Sequence, residues 1–180
     1  GFSGIHQEIQ GNYNALGKTE KSGPKGSQLK AMLTAATLPR DLAEKYCRLC
    51  ASLAAKETDP ERKMELEIMA ENLTRVPWDP PRTFWQGLQA LWLTHMLVMA
   101  DENYPGPGVS FGRIDQYLYP LWQKSLDEGM DREFGKEILK CFWIHANTAY
   151  DFMIRTGGNQ GITAGNGQLL TIGGLGPNGE

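Results

Sequence analysis

Cys47-Arg48-Leu49-Cys50 places two thiols three residues apart, the spacing of a redox pair or of one half of a zinc site. Neither chemistry is completed, because no strand leads into the pair and no second Cys or His pair stands elsewhere to close a metal site. The pair reads as packing within a helix. His95 and His145 offer imidazoles, but each falls on an apolar helical face, where a core histidine bonded to backbone or water is the simpler reading. Asp101 and Glu102 are adjacent carboxylates that would share a proton or hold a metal if buried together; at a helix end beside a loop they read as solvated. The glycine-rich tail after Gly157 could cradle a phosphate through its N–H groups. Gly165-Asn166-Gly167-Gln168 lacks the third glycine of a dinucleotide fingerprint, however, and no Gly-Lys-Ser/Thr occurs. His6, Glu8 and Gln10 form a polar cluster that, by residue type alone, reads as an exposed terminus.

The elements that must position these groups are mostly helical. Leu42, Tyr46, Leu49 and Leu53 share one face of a helix predicted over 41–56. Asp59-Pro60-Glu61 reads as an N-cap, a proline at the first helical position and a favourable acid, opening a helix that runs to about Arg75 and is ended by Pro77. Phe84, Leu88, Leu91, Trp92, His95 and Met99 define a third helix, apolar nearly all round and therefore central. Asn103 to Gly108 must turn. Helical spacing returns from Asp115 to about Leu126, and Asp131 caps a helix on which Phe134, Ile138, Cys141, His145 and Thr148 share a face. Leu169-Leu170-Thr171-Ile172 is short enough for a buried strand, placed at 168–173. A single strand must pair with strands from elsewhere, so the chain is expected to be an internal fragment. Gly17 to Gly26 is the one stretch that looks flexible.

A chain of 180 residues, 41% hydrophobic and 22% charged, is large enough to bury a core. Its net charge of -3 gives no broad basic face for nucleic acid or anionic lipid, and neither partner is expected. Three cysteines are an odd number, which argues against a secreted disulfide framework and for a reducing, cytoplasmic setting. The most apolar stretch, Phe84 to Ala100, carries Gln86, Gln89 and His95 and is too short to span a bilayer comfortably. No signal-peptide pattern opens the sequence.

Val109-Ser110-Phe111-Gly112-Arg113-Ile114-Asp115-Gln116-Tyr117-Leu118-Tyr119-Pro120 closely resembles the S-[FI]-G-R-x-D-Q-Y-x-Y-P signature of the glycyl radical enzymes, the pyruvate formate-lyase-like family. Pro81 to Trp92 resembles that family's preceding helix, and Leu170-Thr171-Ile172-Gly173-Gly174 an early strand of its barrel. The resemblance implies an α/β fold, a ten-stranded barrel wrapped in helices, to which residues 1–180 contribute outer helices and the beginning of the barrel within a single domain. It also implies a radical stored on a backbone glycine and passed to a cysteine, whose thiyl radical takes a hydrogen atom from the substrate and frees a poor leaving group.

Neither the Gly-Cys-x-Glu loop nor the glycyl loop of that family occurs here, so no catalytic residue is assigned and the chain alone is expected to be inactive. No metal or bound cofactor is expected. The radical would be installed by an S-adenosylmethionine-dependent iron–sulfur activating enzyme, and an anaerobic homodimer acting on a small molecule is implied. Diol-dehydrating members carry a His-Ser pair where this sequence has Pro107-Gly108, which weighs against diols. Asn147 to Asp151 and Asn159 to Gly165 resemble the sulfonate C–S lyase branch, which cleaves isethionate. His6 and Gln10, four apart and ahead of Asn12-Tyr13, are the candidate substrate-binding residues. Other eliminations, including dehydration and C–N cleavage, and arylacetate decarboxylation stay open, as does a non-catalytic helical interaction module.

Overall fold

The computed structural model describes residues 1–101, 110–156 and 172–174, the stretch 147–156 by its backbone. The chain divides into two compact units, Gly1–Pro81 and Arg82–Glu180.

The first unit contains α1 (Phe2–Ala15), α2 (Lys18–Ser22), α3 (Pro24–Ala54) and α4 (Pro60–Arg75), with α3 packed against the other three. The stretch expected to be flexible is helical. The Gly17 N–H donates to Glu20 Oε2 at 3.1 Å, which satisfies a donor ahead of α2, and Pro24 takes the first position of α3, where its missing N–H removes nothing. Gly26 is buried against the backbone carbonyl of Lys21, an approach that leaves no room for a Cβ.

The helix predicted from Asp41 is therefore the second half of a longer one that runs straight through Pro39. Pro39 removes one ladder hydrogen bond, but it lies on the buried face with Ala36, Ala43, Cys50 and Ala54, and packing of that face outweighs the loss. The predicted Leu42/Tyr46/Leu49/Leu53 face exists but is not the packed one. Leu49 is 50% and Leu53 46% exposed, while the small side chains meet the neighbouring helices. α4 begins as predicted: Asp59 Oδ1 accepts the Glu61 N–H at 3.0 Å with Pro60 following the cap. The first N–H groups of α1 also find partners, Phe2 donating to the Pro77 carbonyl at 3.1 Å and Ser3 to that of Trp78 at 2.8 Å.

The second unit contains α5 (Phe84–Asp101), α6 (Ile114–Tyr117), α7 (Tyr119–Asp127) and α8 (Arg132–Thr156). Its core joins Phe84 and Leu88 of α5, Phe111, Ile114, Leu118, and Phe142 and Ala146 of α8. α5 is central, as its all-round apolarity predicts, packing on both α7 and α8. The single helix expected from Asp115 is broken at Leu118, because Pro120 has no N–H to carry the ladder back to Gln116. Asp131 caps α8 by accepting the Phe134 N–H at 2.9 Å. The predicted Phe134–His145 stripe is mostly peripheral, however: Phe134, Cys141 and His145 are exposed, Ile138 is half-buried against the core, and Gly135, Phe142 and Ala146 are buried.

The expected turn at 103–108 lies outside the described residues, as do residues 168–171 of the expected strand. Ile172 is exposed, Gly173 is in no regular element, and no β-strand occurs among the described residues. Among them no helix is long and apolar enough to cross a membrane.

Candidate functional site

Anchored at its start on the carbonyls of Pro77 and Trp78, α1 carries His6 and Gln10 one turn apart, on the same side of the helix. The His6 ring is half-buried and tilted against the Trp78 indole, with centroids 5.6 Å apart. Gln10 is also half-buried, and its side-chain N–H donates to Asn14 Oδ1 at 3.0 Å. The two predicted residues thus share a face, each already held by a neighbour that fixes its direction. Trp78 has a second partner on α3, where the Arg40 guanidinium sits 5.1 Å from its ring centre. Trp78 also lines a half-open cleft of about 410 Å³, with Arg40, Glu44, Cys47, Arg48 and Thr74 supplying its polar groups.

Cys47 donates its thiol hydrogen to the Ala70 carbonyl, at 3.4 Å, and burial pushes the Cys50 thiol up from its ordinary value. Both are free thiols. Among the described residues no three His, Cys, Asp or Glu side chains converge on a metal position. Asp101 is exposed at the end of α5, and Glu102 lies outside the described residues.

His95 is buried against Phe111, 4.4 Å between centroids, and burial holds its imidazole below the usual range. Its ring lies 5.9 Å from Trp92, and His145 lies 5.6 Å from the same indole. Two histidines fifty residues apart in the chain therefore flank one tryptophan.

The signature segment joins several polar groups in one network. Ser110 Oγ accepts the Gly112 N–H at 3.0 Å, and Gly112 adopts a left-handed φ of 63°. Tyr117 donates its hydroxyl to the Phe111 carbonyl at 2.8 Å, and burial raises that phenol above its ordinary value. Arg113 Nε and Nη2 donate to Asp115 Oδ1 and Oδ2 at 3.1 and 3.3 Å. Asp115 Oδ2 also accepts the Gly173 N–H at 2.9 Å, and the Arg113 hydrogen bonds hold the carboxyl below its usual value. The motif itself is plain in the sequence, but nothing in its residues signals the partner at Gly173.

The family model described as pyruvate formate lyase-like matches residues 1–180. The chain is 42% identical over 142 residues to isethionate sulfite-lyase of Nitratidesulfovibrio vulgaris, covering 77% of this chain and 17% of that protein. It is 34% identical over 179 residues to the probable dehydratase YbiW of Escherichia coli, covering 97% of this chain and 22% of that one. A solved structure concerning 1,2-propanediol dehydration in Roseburia inulinivorans superposes with a TM-score of 0.84 at 26% identity, over 99% of this chain and 22% of the other. The chain thus spans about a fifth of the length of these relatives. With its signature residues in place and a family match over its whole length, this chain belongs to the pyruvate formate lyase-like family of glycyl radical enzymes.

Proposed function

We propose that the whole protein is a glycyl radical lyase that breaks a carbon–heteroatom bond of a small polar substrate, with C–S cleavage of a sulfonate such as isethionate as the leading reaction. The observation that carries this reading is the 42% identity to an isethionate sulfite-lyase over the 142 residues that match it, against 34% over 179 residues for the probable dehydratase. In this reading both compact units belong to one larger domain, to which these residues supply outer helices and the beginning of the barrel and whose thiyl cysteine and radical glycine lie outside them. A radical-SAM activating enzyme installs the glycyl radical, the protein works as a cytoplasmic homodimer under anaerobic conditions, and the 180 residues alone turn nothing over.

His6 and Gln10 bind the substrate. An imidazole N–H and a carboxamide N–H are donors, and a sulfonate presents three acceptor oxygens and a full negative charge. Their placement one turn apart on α1, with His6 braced by Trp78 and Gln10 by Asn14, presents the two donors from one rigid surface. Dehydration is the second reading, favoured by the 34% identity over 97% of this chain to the probable dehydratase, level with the 34% over 99% to a second isethionate sulfite-lyase.

The deciding experiment activates the full-length protein anaerobically with its cognate activating enzyme and offers isethionate, with glycerol, choline and an arylacetate alongside. Sulfite release supports C–S cleavage. A glycyl radical signal with no sulfite keeps the family and sinks the sulfonate assignment.

A further inference from the structure

We infer that Asp115 is a positioning residue whose carboxylate, gripped by Arg113, clamps the path of the chain through Gly173 and Gly174. The inference is independent of the substrate. Three donors converge on this one carboxylate: Arg113 Nε at 3.1 Å, Arg113 Nη2 at 3.3 Å and the Gly173 N–H at 2.9 Å, the last from 58 residues away.

The need for a clamp follows from the glycines. Gly173 and Gly174 both have positive φ, 79° and 86°, and a Cβ built on either would meet nothing within 4 Å. Backbone angle, not crowding, demands glycine at both positions. Two adjacent glycines have more conformations to lose on folding than any other pair, so a fixed geometry here needs an external tie. The exposed Ile172 side chain provides little anchoring of its own.

The clamp also has a rigid base. Asp115 stands on α6 between Ile114 and Leu118, both buried in the core of the unit. The loop before it is pinned by Ser110 on Gly112 and by Tyr117 on the Phe111 carbonyl. Core packing fixes α6, α6 fixes Asp115, and Arg113 fixes the carboxylate's orientation toward Gly173. The pair is partly solvent-exposed, 37% at Arg113 and 28% at Asp115, so its value lies in direction more than in bulk stability. The signature's Arg-x-Asp spacing thereby gains a structural role, holding the chain at Gly173, the last residue of the expected strand.

The inference is tested by hydrogen exchange and mass spectrometry on the full-length protein, comparing wild type with D115A, D115N and R113K. In D115A the peptide containing residues 172–174 should exchange roughly tenfold faster, the loss of one charge-assisted hydrogen bond. Peptides from α5 and α8 should be unchanged. D115N, which keeps an acceptor oxygen, should restore part of the protection. R113K, which loses the two-pronged grip but leaves the carboxylate, should fall between wild type and D115A. Unchanged exchange at 172–174 in D115A overturns the inference, as does equal acceleration of α5 and α8, which would mark Asp115 as a general stabiliser. Should D115A fail to fold, R113K decides by the same local-against-global comparison.

Discussion

Ser125 of α7 caps α5 from another helix: its hydroxyl oxygen accepts the Phe84 N–H at 2.9 Å, inside the core. The first N–H groups of a helix have no intrahelical partner, and a residue just ahead of the helix usually supplies one. Here the acceptor comes from 41 residues downstream. Ser125→Ala would leave a buried donor without its partner, at a cost of about 1–3 kcal/mol. Chemical denaturation of the 180-residue chain should show a lower midpoint with the slope unchanged; an unchanged midpoint would mean that water replaces the hydroxyl.

Asp59→Ala removes the side-chain oxygen that accepts the Glu61 N–H at 3.0 Å at the start of α4. The expected loss is about 1 kcal/mol, typical of an exposed N-cap. Asp59→Asn should recover most of it, because the carboxamide oxygen accepts the same bond. The measurement is the denaturation midpoint of the three proteins side by side.

Gly26→Ala should destabilise the first unit by about 2 kcal/mol or more, since the new methyl would collide with the Lys21 backbone carbonyl, which no rotamer change relieves. The gain in helix propensity from glycine to alanine, about 1 kcal/mol, is too small to compensate. A variant as stable as wild type would show that α2 shifts freely with respect to α3.

Two titrations set separate pH windows. Burial lowers the His95 pKa in the folded chain from 6.5, so the unfolded chain binds the proton first, and stability falls as pH drops below about 6.5. His95→Asn should flatten that dependence in denaturation curves measured between about pH 7.5 and about pH 5.5. The Asp115 pKa is lowered from 3.8 by the Arg113 hydrogen bonds, so its contribution is full above that value and is lost only as pH falls through the lower, folded one. An acid-induced change at residues 172–174 should therefore come well after the His95 step.

How much of this was legible in the sequence depended on whether the deciding partner was local. The Asp59 and Asp131 caps, the central α5 and the stop at Pro77 follow from residues within one or two turns of the event. The course of α3 through Pro39 did not, because its cause is the burial of Ala36, Ala43 and Cys50 against other helices, which the proline signal conceals. Leucine spacing likewise gave the helix but chose the wrong face, since a stripe of small residues packs closely without raising hydrophobic periodicity. At the candidate site, His6 and Gln10 were identified from a resemblance, whereas the tilt of His6 on Trp78 depends on how the start of α1 docks on residues 77–78. The Asp115–Gly173 bond joins positions 58 apart and left no mark in local pattern.

Trp92 between two imidazoles makes the second unit self-reporting to light. A protonated imidazole withdraws excited-state energy from a neighbouring indole far better than a neutral one. The rings of His95 and His145 lie 5.9 and 5.6 Å from Trp92, one buried and one exposed. Emission from this tryptophan, one of five in the chain, should dim as the buried His95 imidazole takes up its proton, so the difference between wild type and Trp92→Phe in a fluorescence titration reads the inner side of the core without any attached dye.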